Sequence, residues 1–370
     1  MGKYDMTSAI TREQDEIRAL VCIPVYNGEP YIANAIDSVK RQSYSRWNCI
    51  VTEDCSKDST PTSIQNATRD DKRFQVSYNP RNLGMVKNWN KALSIALALP
   101  KTVERQQDVI SILHADDYYH PSFLERVTNY FRHNPGLGMV FTANYEVDSM
   151  GEIFWLNKPL EKDANLSMGF FTQLMRSKSN FVRFPAVVVR KEVYEHLGLF
   201  DENFTLTVDV EMWLRILTYY SVGYIAEPLC YYRVHSTNDS RKYLANGTEI
   251  LELEKAYTTT LSRLGTLKNT DVEAETVEKN LWKSMDRRVF NWRYIIVILR
   301  VGGHTAVSSL TRNYRSFRER HRNGTVSPMA ITTLSTLEFL FRTIPHLDKA
   351  IVASYDTLRA IKKVLFKMRY

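Results

Sequence analysis

The sequence lacks the features that mark several protein classes. Its 370 residues contain four cysteines and no C-x-x-C pair, so zinc and redox motifs of that kind are not expected. The longest apolar run that could suggest a membrane helix, YIIVIL at 294–299, falls far short of the ~20 residues that a span needs. The polar start has no apolar centre like that of a signal peptide. These absences predict a cytoplasmic protein with reduced thiols.

Two common nucleotide-binding motifs are also missing. No G-x-G-x-x-G follows the first strand-like run, and no G-x-x-x-x-G-K-[ST] occurs in the chain. These absences argue against a dinucleotide-binding Rossmann enzyme and a P-loop NTPase. No aromatic-interleaved basic groove or recognisable module favours a nucleic acid as partner.

Composition and charge predict a globular protein of two parts. Hydrophobic residues make up 44% of the chain and charged residues 24%, which is typical of a folded protein. Residues 281–370 carry 17 Lys and Arg against 5 Asp and Glu, a balance of +12, whereas the first 280 residues carry −4. We therefore predict a short extension (1–18), an α/β domain (19–240) and a helical, basic C-terminal domain (241–370).

Strand-like and helix-like segments alternate in the first of these domains. The strand-like runs are ALVCIPVYN, WNCIVTEDCS, FQVSYNP, DVISILHADD and GLGMVFTANYEVD. This alternation predicts a mostly parallel sheet with helices on both faces. In such sheets ligands bind outside the carboxyl ends of the strands. The polar clusters YNGE, TEDCS and HADD follow strand ends and should converge on one crevice.

The stretch ISILHADDYYHP places two carboxylates side by side where a buried strand ends. Adjacent like charges raise one another's pKa, so Asp116 and Asp117 need a reason to be there. A divalent cation between these acids and a second anion would supply that reason, because hard cations prefer carboxylate oxygens and phosphates.

Five blocks in order resemble the family 2 glycosyltransferases of GT-A fold. The blocks are IPVYNGEPYIANAIDSVKRQSY, CIVTEDCSKDST, NPRNLGMVKNWNKAL, ILHADDYYHP and VDVEMWLRI. The resemblance covers roughly residues 19–236 and stops before the C-terminal third. It implies a GT-A fold, and an inverting enzyme that moves a sugar from a nucleoside-diphosphate sugar to a hydroxyl group.

The resemblance also implies a nucleotide site. In the family a P-x-Y-N loop and a D-D-x-S-x-D block hold the nucleoside, and Pro24, Tyr26, Glu29 and Asp54 match those positions. Glu53 stands where a first aspartate is usual, which leaves open which of the two acids contacts the base. The alternative is that both acids merely end a strand in solvent.

The metal and the phosphates are assigned in the same way. The family's D-x-D element binds Mn²⁺ or Mg²⁺ with the diphosphate, so Asp116 is expected to contact both nucleotide sugar and metal, and Asp117 the metal. His235 matches a histidine that can approach the metal or phosphates, although a structural role is equally open. Lys87 could contact phosphate or be a solvated lysine. His114 replaces the usual first aspartate, and it is either a ligand or a strand-end residue.

Asp209 is the expected catalytic residue. It matches the first acid of the family's [ED]-D-x-[DE]-x-W-x-x-R region, and an inverting transferase needs one general base to deprotonate the acceptor hydroxyl. Val208 stands where a further acid is often found. Trp213 is expected to pack in the core rather than stack on sugar, and Arg215 to form a structural ion pair.

The last helical stretch combines an apolar stripe with cations. Ile351, Tyr355, Leu358, Leu365 and Met368 fall close to one face, and four Lys and Arg lie off it. This pattern is typical of peripheral binding to the cytosolic face of the inner membrane. The alternative is a helix that packs on the rest of the chain or on another subunit, so a homo-oligomer stays open.

The sequence therefore predicts a metal-dependent, inverting hexosyltransferase of surface polysaccharide biosynthesis. UDP is the expected nucleotide, and the acceptor is a glycan or a lipid-linked oligosaccharide. One alternative is a nucleotide-sugar hydrolase. Another is a catalytically silent GT-A domain that serves as a binding or assembly subunit, a reading that the substitutions His114 and Val208 keep open.

Overall fold

The computed structural model describes the greater part of the chain. The described residues are 17–100, 107–178, 181–235, 248–266, 274–289, 292–320, 335–340, 343, 347 and 349–354. The predicted extension up to residue 16, the predicted boundary at residue 240 and the basic stretch from 355 onward lie outside them.

Strands and helices alternate before a run of helices. The strands are β1 (Ile17–Val25), β2 (Trp47–Glu53), β3 (Phe74–Tyr78), β4 (Gln107–Ile112), β5 (Tyr118–Tyr119), β6 (Leu137–Val147), β7 (Ile153–Asn157), β8 (Ala164–Leu166), β9 (Val187–Arg190) and β10 (Ser221–Arg233). The α-helices are α1 (Ile32–Lys40), α2 (Thr60–Thr68), α3 (Met85–Ala98), α4 (Phe123–His133), α5 (Met168–Lys178), α6 (Lys191–Leu197), α7 (Val208–Tyr219), α8 (Thr248–Thr266), α9 (Ala274–Val289) and α10 (Trp292–Arg320).

The main sheet has the strand order β3-β2-β1-β4-β9-β6-β10-β5. The first four strands are parallel, with Ile23 beside Val51 and Val21 beside Ser111 in register. Strand β9 runs antiparallel to both β4 and β6. The predicted α/β class, with a mostly parallel sheet followed by a helical region, is confirmed.

The hydrophobic core lies on both faces of β1. Leu20, Val21 and Cys22 follow one another in this strand and all are fully buried, as expected for a central parallel strand covered on both sides. Helix α1 buries Ile32 and Ile36 against the same core, so its apolar face packs on the sheet. A rigid sheet core of this kind fixes the positions of the loops at its carboxyl edge.

The chain forms two compact units built from interleaved segments. The first unit contains the described residues up to Asn144 together with Arg183–Leu199 and Val222–Tyr232. The second contains Tyr145–Val182, Phe200–Ser221 and the described residues from Arg233 onward.

The second unit has its own aromatic core. Trp282 of α9 lies 5.7 Å from Tyr257 of α8 and 5.4 Å from Phe317 of α10, measured between ring centroids. The Tyr257 hydroxyl shares a buried hydrogen bond with Ser284. These contacts join three successive helices around one cluster. Among the described residues, no helix combines the length and apolarity needed to cross a membrane.

Close packing at one glycine of β10 gives a stability prediction. A Cβ at Gly223 would lie 2.7 Å from Tyr130 Cε1 and 2.8 Å from Leu137 Cδ1. We expect Gly223→Ala to lower the free energy of unfolding by about 1–3 kcal/mol, because overpacking forces neighbouring groups to shift. Urea unfolding followed by circular dichroism measures the loss. The control is Gly136→Ala, whose Cβ would meet no atom within 4 Å; equal midpoints for the two variants would contradict the prediction.

Candidate active site

The HADD turn lies directly after β4. The Leu113 amide still bonds to the Cys22 carbonyl of β1, and the Asp117 amide then bonds back to the His114 carbonyl at 3.1 Å. This turn brings His114, Asp116 and Asp117 together, with one ligand atom from each within 4.8 Å of the others. Asp117 is buried, whereas Asp116 is partly exposed. The predicted acid pair is thus part of a compact three-residue cluster.

His114 lies in an aromatic cluster. Its ring stacks on Trp89 at 5.2 Å and on Phe184 at 4.7 Å between centroids, and its Nδ1 lies 3.8 Å from Asp117 Oδ2. Nε2 is buried and has no hydrogen-bond partner among the residues described. Burial lowers the pKa of His114 below its usual value, and the charge of Asp116 opposes that shift without cancelling it.

The donor set of this cluster fits a divalent cation. A neutral imidazole nitrogen and two carboxylates are ligands that Mn²⁺ accepts, whereas Mg²⁺ favours oxygen ligands alone. The stacking of His114 on two neighbouring rings also shows that packing contributes to its placement. Both readings of His114 given by the sequence therefore have support in the structure.

The loop after β1 lies directly against the HADD turn. A Cβ at Gly28 would lie 3.3 Å from the Cβ of Ala115 and 2.6 Å from Val25 Cγ2, so the glycine allows this close approach. Ala115 stands between His114 and Asp116 in the turn. The predicted convergence of the YNGE and HADD clusters at one edge of the sheet is present.

The loop after β2 is tied to the loop after β1. The Asn27 amide donates to Ser56 Oγ at 2.9 Å, and the Lys57 amide donates to Asn27 Oδ1 at 2.9 Å. The Gly28 amide donates to Thr60 Oγ1 at 2.8 Å. Asn27 holds a left-handed backbone conformation, with φ of 50°, which asparagine tolerates better than most residues.

Asp54, expected to contact the nucleotide, has internal hydrogen bonds instead of an exposed carboxylate. Its side chain is 1% exposed. Oδ1 accepts from Asn79 Nδ2 at 2.7 Å and from the Leu83 amide at 2.8 Å, and Oδ2 accepts from the Gly84 amide at 3.0 Å. The carboxylate therefore holds the segment between β3 and α3, and its predicted contact with a nucleotide stays a prediction.

Glu53 is also used internally. It is 3% exposed, and its two oxygens accept hydrogen bonds from the amides of Cys55 and Ser56. The interpretation that the two acids merely end a strand in solvent is wrong, because both are buried and bonded.

Side chains that can meet a ligand remain on these loops. Tyr26 is 44% exposed, and Glu29 and Lys87 are exposed as well, while Pro24 is buried at the end of β1. Lys87 lies on α3, two residues before Trp89, whose ring contacts His114. These positions are consistent with a ligand above the carboxyl edge of the sheet.

Asp58, which the sequence analysis did not single out, also helps to hold the loops after β1 and β2 together. It is the last acid of the TEDCSKD block. Burial would raise its pKa, but hydrogen bonds from Thr60 and from the Glu29 amide outweigh burial and hold the pKa of Asp58 below its usual value. Asp58 thereby fixes the backbone of Glu29.

Asp209 and His235 belong to the second unit. Asp209 lies in the first turn of α7, where a negative charge is favourable, and its Oδ1 accepts a hydrogen bond from the Val210 amide at 2.8 Å. The carboxylate is partly exposed. His235 follows β10 and is partly buried. The predicted catalytic and metal roles of these two residues stay predictions.

The neighbours of Asp209 on α7 are structural, as expected. Glu211 is 2% exposed and forms ion pairs with Arg215 at 2.9 Å and with Arg263 of α8 at 3.1 Å. Trp213 is buried and lies edge-on to Phe200. The expectations of an ion pair at Arg215 and of packing at Trp213 are confirmed.

Comparisons with known proteins find glycosyltransferases that are similar to this chain. The family model described as "Glycosyl transferase family 2" matches residues 20–198. An uncharacterized glycosyltransferase of Haemophilus influenzae is 25% identical over 238 residues, covering 61% of this chain and 68% of its own. One from Methanocaldococcus jannaschii is 28% identical over 226 residues, covering 60% and 72%.

Solved structures share the fold. S. aureus TarS 1–349 in complex with UDP-GlcNAc superposes with a TM-score of 0.62 at 16% identity, covering 95% of this chain and 93% of that one. The mannosyltransferase PcManGT from Pyrobaculum calidifontis, in complex with GDP-Man and Mn²⁺, gives a TM-score of 0.51 at 16% identity, covering 94% and 87%. These likenesses show the fold alone.

The bonding of Asp54 gives a prediction that separates stability from ligand contact. In Asp54→Asn one carboxylate oxygen becomes an NH₂ group. Because both oxygens of Asp54 accept from N–H donors, the NH₂ group faces a donor in either orientation of the amide. We expect the unliganded protein to lose about 1–3 kcal/mol of stability, the cost of leaving buried donors without an acceptor. Urea unfolding without nucleotide measures it. Asp70→Asn is the control, because Asp70 is exposed with φ of 62°, which asparagine adopts readily; a stable Asp54→Asn would contradict the structural role.

The cysteines differ in their expected reactivity. Cys22, Cys49 and Cys230 are buried, and burial raises the pKa of each thiol. Cys55 is exposed in the loop after β2. We expect a chromogenic disulfide reagent to modify one thiol in the native protein and four in urea. The rapid reaction should vanish in Cys55→Ser and persist in Cys230→Ser; more than one rapidly reacting thiol would contradict the described burial.

Proposed function

We infer that this chain is a member of glycosyl transferase family 2, whose model matches residues 20–198, and we propose that it is an inverting, metal-dependent glycosyltransferase. It moves a sugar from a nucleoside-diphosphate sugar to a hydroxyl of a glycan or lipid-linked acceptor, in the synthesis of a surface polysaccharide. The observation that carries this proposal is the cluster of His114, Asp116 and Asp117 at the carboxyl end of β4.

The donor side is assigned to the first unit. Asp116 and Asp117 would hold Mn²⁺ or Mg²⁺, with His114 Nδ1 as a third donor. A cation held there would neutralise the charge that develops on the departing diphosphate. Ala115 in the same turn contacts Gly28, so the acids lie beside the loop that carries Tyr26 and Glu29.

Three exposed side chains are proposed to bind the nucleotide. Tyr26 offers an aromatic face to the base, and Glu29 offers a carboxylate that accepts hydrogen bonds from base or ribose. Lys87 offers a cation for phosphate oxygens. Pro24 and Asp54 shape the loops beneath them. UDP is the proposed nucleotide, supported by the UDP-GlcNAc complex of TarS, which shares the fold.

Asp209 is proposed as the general base. As the acceptor oxygen attacks the anomeric carbon, its proton passes to an Asp209 carboxylate oxygen, and the bond between that carbon and the phosphate oxygen breaks. The bonding electrons leave with the diphosphate. The position of this carboxylate in the first turn of α7, where it is partly exposed, supports this role.

A thermal-shift panel tests the donor assignment. UDP, GDP, dTDP and CMP are each added with and without Mn²⁺ to the wild type and to Asp116→Asn. We expect one nucleotide to raise the melting temperature in the presence of Mn²⁺, because a ligand that binds only the folded state stabilises it. Asp116→Asn should lose most of the shift.

The control variant is Glu161→Gln, whose exposed carboxylate pairs only locally with Lys158. It should keep the wild-type shift. If no nucleotide stabilises the wild type under any of these conditions, the proposed function is overturned. If stabilisation occurs equally in Asp116→Asn, the nucleotide site is retained and the metal role of the acid is contradicted.

A further inference from the structure

Helix α8, in the C-terminal region that the family resemblance does not cover, contacts the segment that leads into α7. Glu252 of α8 is 8% exposed and accepts hydrogen bonds from three successive backbone amides, those of Thr205, Leu206 and Thr207, each at 2.9 Å. The hydroxyls of Thr205 and Thr207 donate to the same carboxylate at 2.6 and 3.2 Å.

These hydrogen bonds take the place of the side-chain cap that is usual at the N-terminus of an α-helix, here that of α7. Residues 205–207 form bends without regular structure, and Thr207 at the N-cap makes no side-chain bond to its own helix. Amides that converge in this way form an anion-binding concavity, and here the anion is a side chain 45 to 47 residues later in the chain. A carboxylate near a helix N-terminus is favourable for the same electrostatic reason.

Helix α8 holds the chain on both sides of Asp209. Two residues before Asp209, Thr207 is bonded to Glu252. Two residues after it, Glu211 is paired with Arg263, which also belongs to α8. Lys255 of α8 adds a contact with the ring of Phe204 at 4.5 Å. The first turn of α7, with its carboxylate, is thus fixed at two points by one partner helix.

We propose that Glu252 is a positioning residue for the reaction: it holds residues 205–207 so that the Asp209 carboxylate meets the nucleophile in a productive geometry. The inference rests on the proposed function of Asp209 as base. It also gives the first of the C-terminal helices a part in the chemistry, through the placement of α7, beyond any part in membrane or subunit contact.

The test compares Glu252→Gln and Glu252→Ala with the wild type in the full chain. Release of nucleoside diphosphate is measured from UDP-GlcNAc and from GDP-mannose, with Mn²⁺ and with water as the nucleophile. Glutamine keeps one acceptor oxygen but turns an NH₂ toward the donors, and alanine removes both acceptors. We expect kcat to fall on the order of tenfold in Glu252→Gln and a hundredfold in Glu252→Ala, because small misplacements of a reacting group cost factors of this size.

Three further measurements separate positioning from general destabilisation. The KM for the donor should stay within about twofold of the wild type. The control Glu254→Gln, which breaks the ion pair between the same helix and Arg320, should keep the wild-type kcat. In an Asp209→Asn background, Glu252→Gln should cause no additional loss, because two residues that act as one unit are not additive. If Glu252→Ala fails to fold, Glu252→Gln still carries the test.

The outcomes distinguish this inference from the function on which it rests. Wild-type kcat in Glu252→Gln, or an equal further loss in the Asp209→Asn background, overturns the positioning role while the base assignment stands. Equal release by Asp209→Asn and the wild type overturns the assignment of Asp209 as the base, and the inference falls with it.

Discussion

The buried carboxylate of Asp54 is the group on which the loops at the carboxyl edge of the sheet depend. Its own amide bonds to the Val25 carbonyl at the end of β1, and its side chain accepts from Asn79, Leu83 and Gly84. A buried charge is costly unless donors compensate it, and three N–H groups supply that compensation here. Asp54 thus links the carboxyl ends of β1, β2 and β3. The Asn88 side chain adds a second link, because it bonds to the Asn79 side chain and to the Thr52 carbonyl of β2.

The sequence predicted those parts of the molecule that follow from local pattern. The strand-like runs predicted β1 to β4 and β6, and the polar clusters after the runs predicted the edge of the sheet where the loops meet. The motif predicted the acid cluster. The short strand β9 was not predicted, because four consecutive buried residues, Val187–Arg190, carry no periodicity that separates a strand from other buried segments.

What the sequence did not predict depends on residues that are distant in the chain. The donors around Asp54 are mostly backbone amides, whose directions are set only by the folded loop. One of the two rings that stack on His114 belongs to Phe184, which lies seventy residues later in the chain. The partner of residues 205–207 is Glu252, in a region where no family motif applies. In each case the sequence shows the residue types, but it does not show which distant residues they contact in the folded protein.

The bonding between Glu252 and residues 205–207 bears on how freely the parts of this protein can be exchanged. A tail taken from a relative would bring its own first helix, and unless that helix offers an acid at the matching position, three amides before α7 would lose their acceptor. The match to the family model ends at residue 198, so both residues 205–207 and Glu252 lie beyond the matched segment. The helices that begin with α8 therefore cannot be exchanged on their own. A replacement for α8 has to supply an acceptor for the amides of residues 205–207, or that segment has to be exchanged with it.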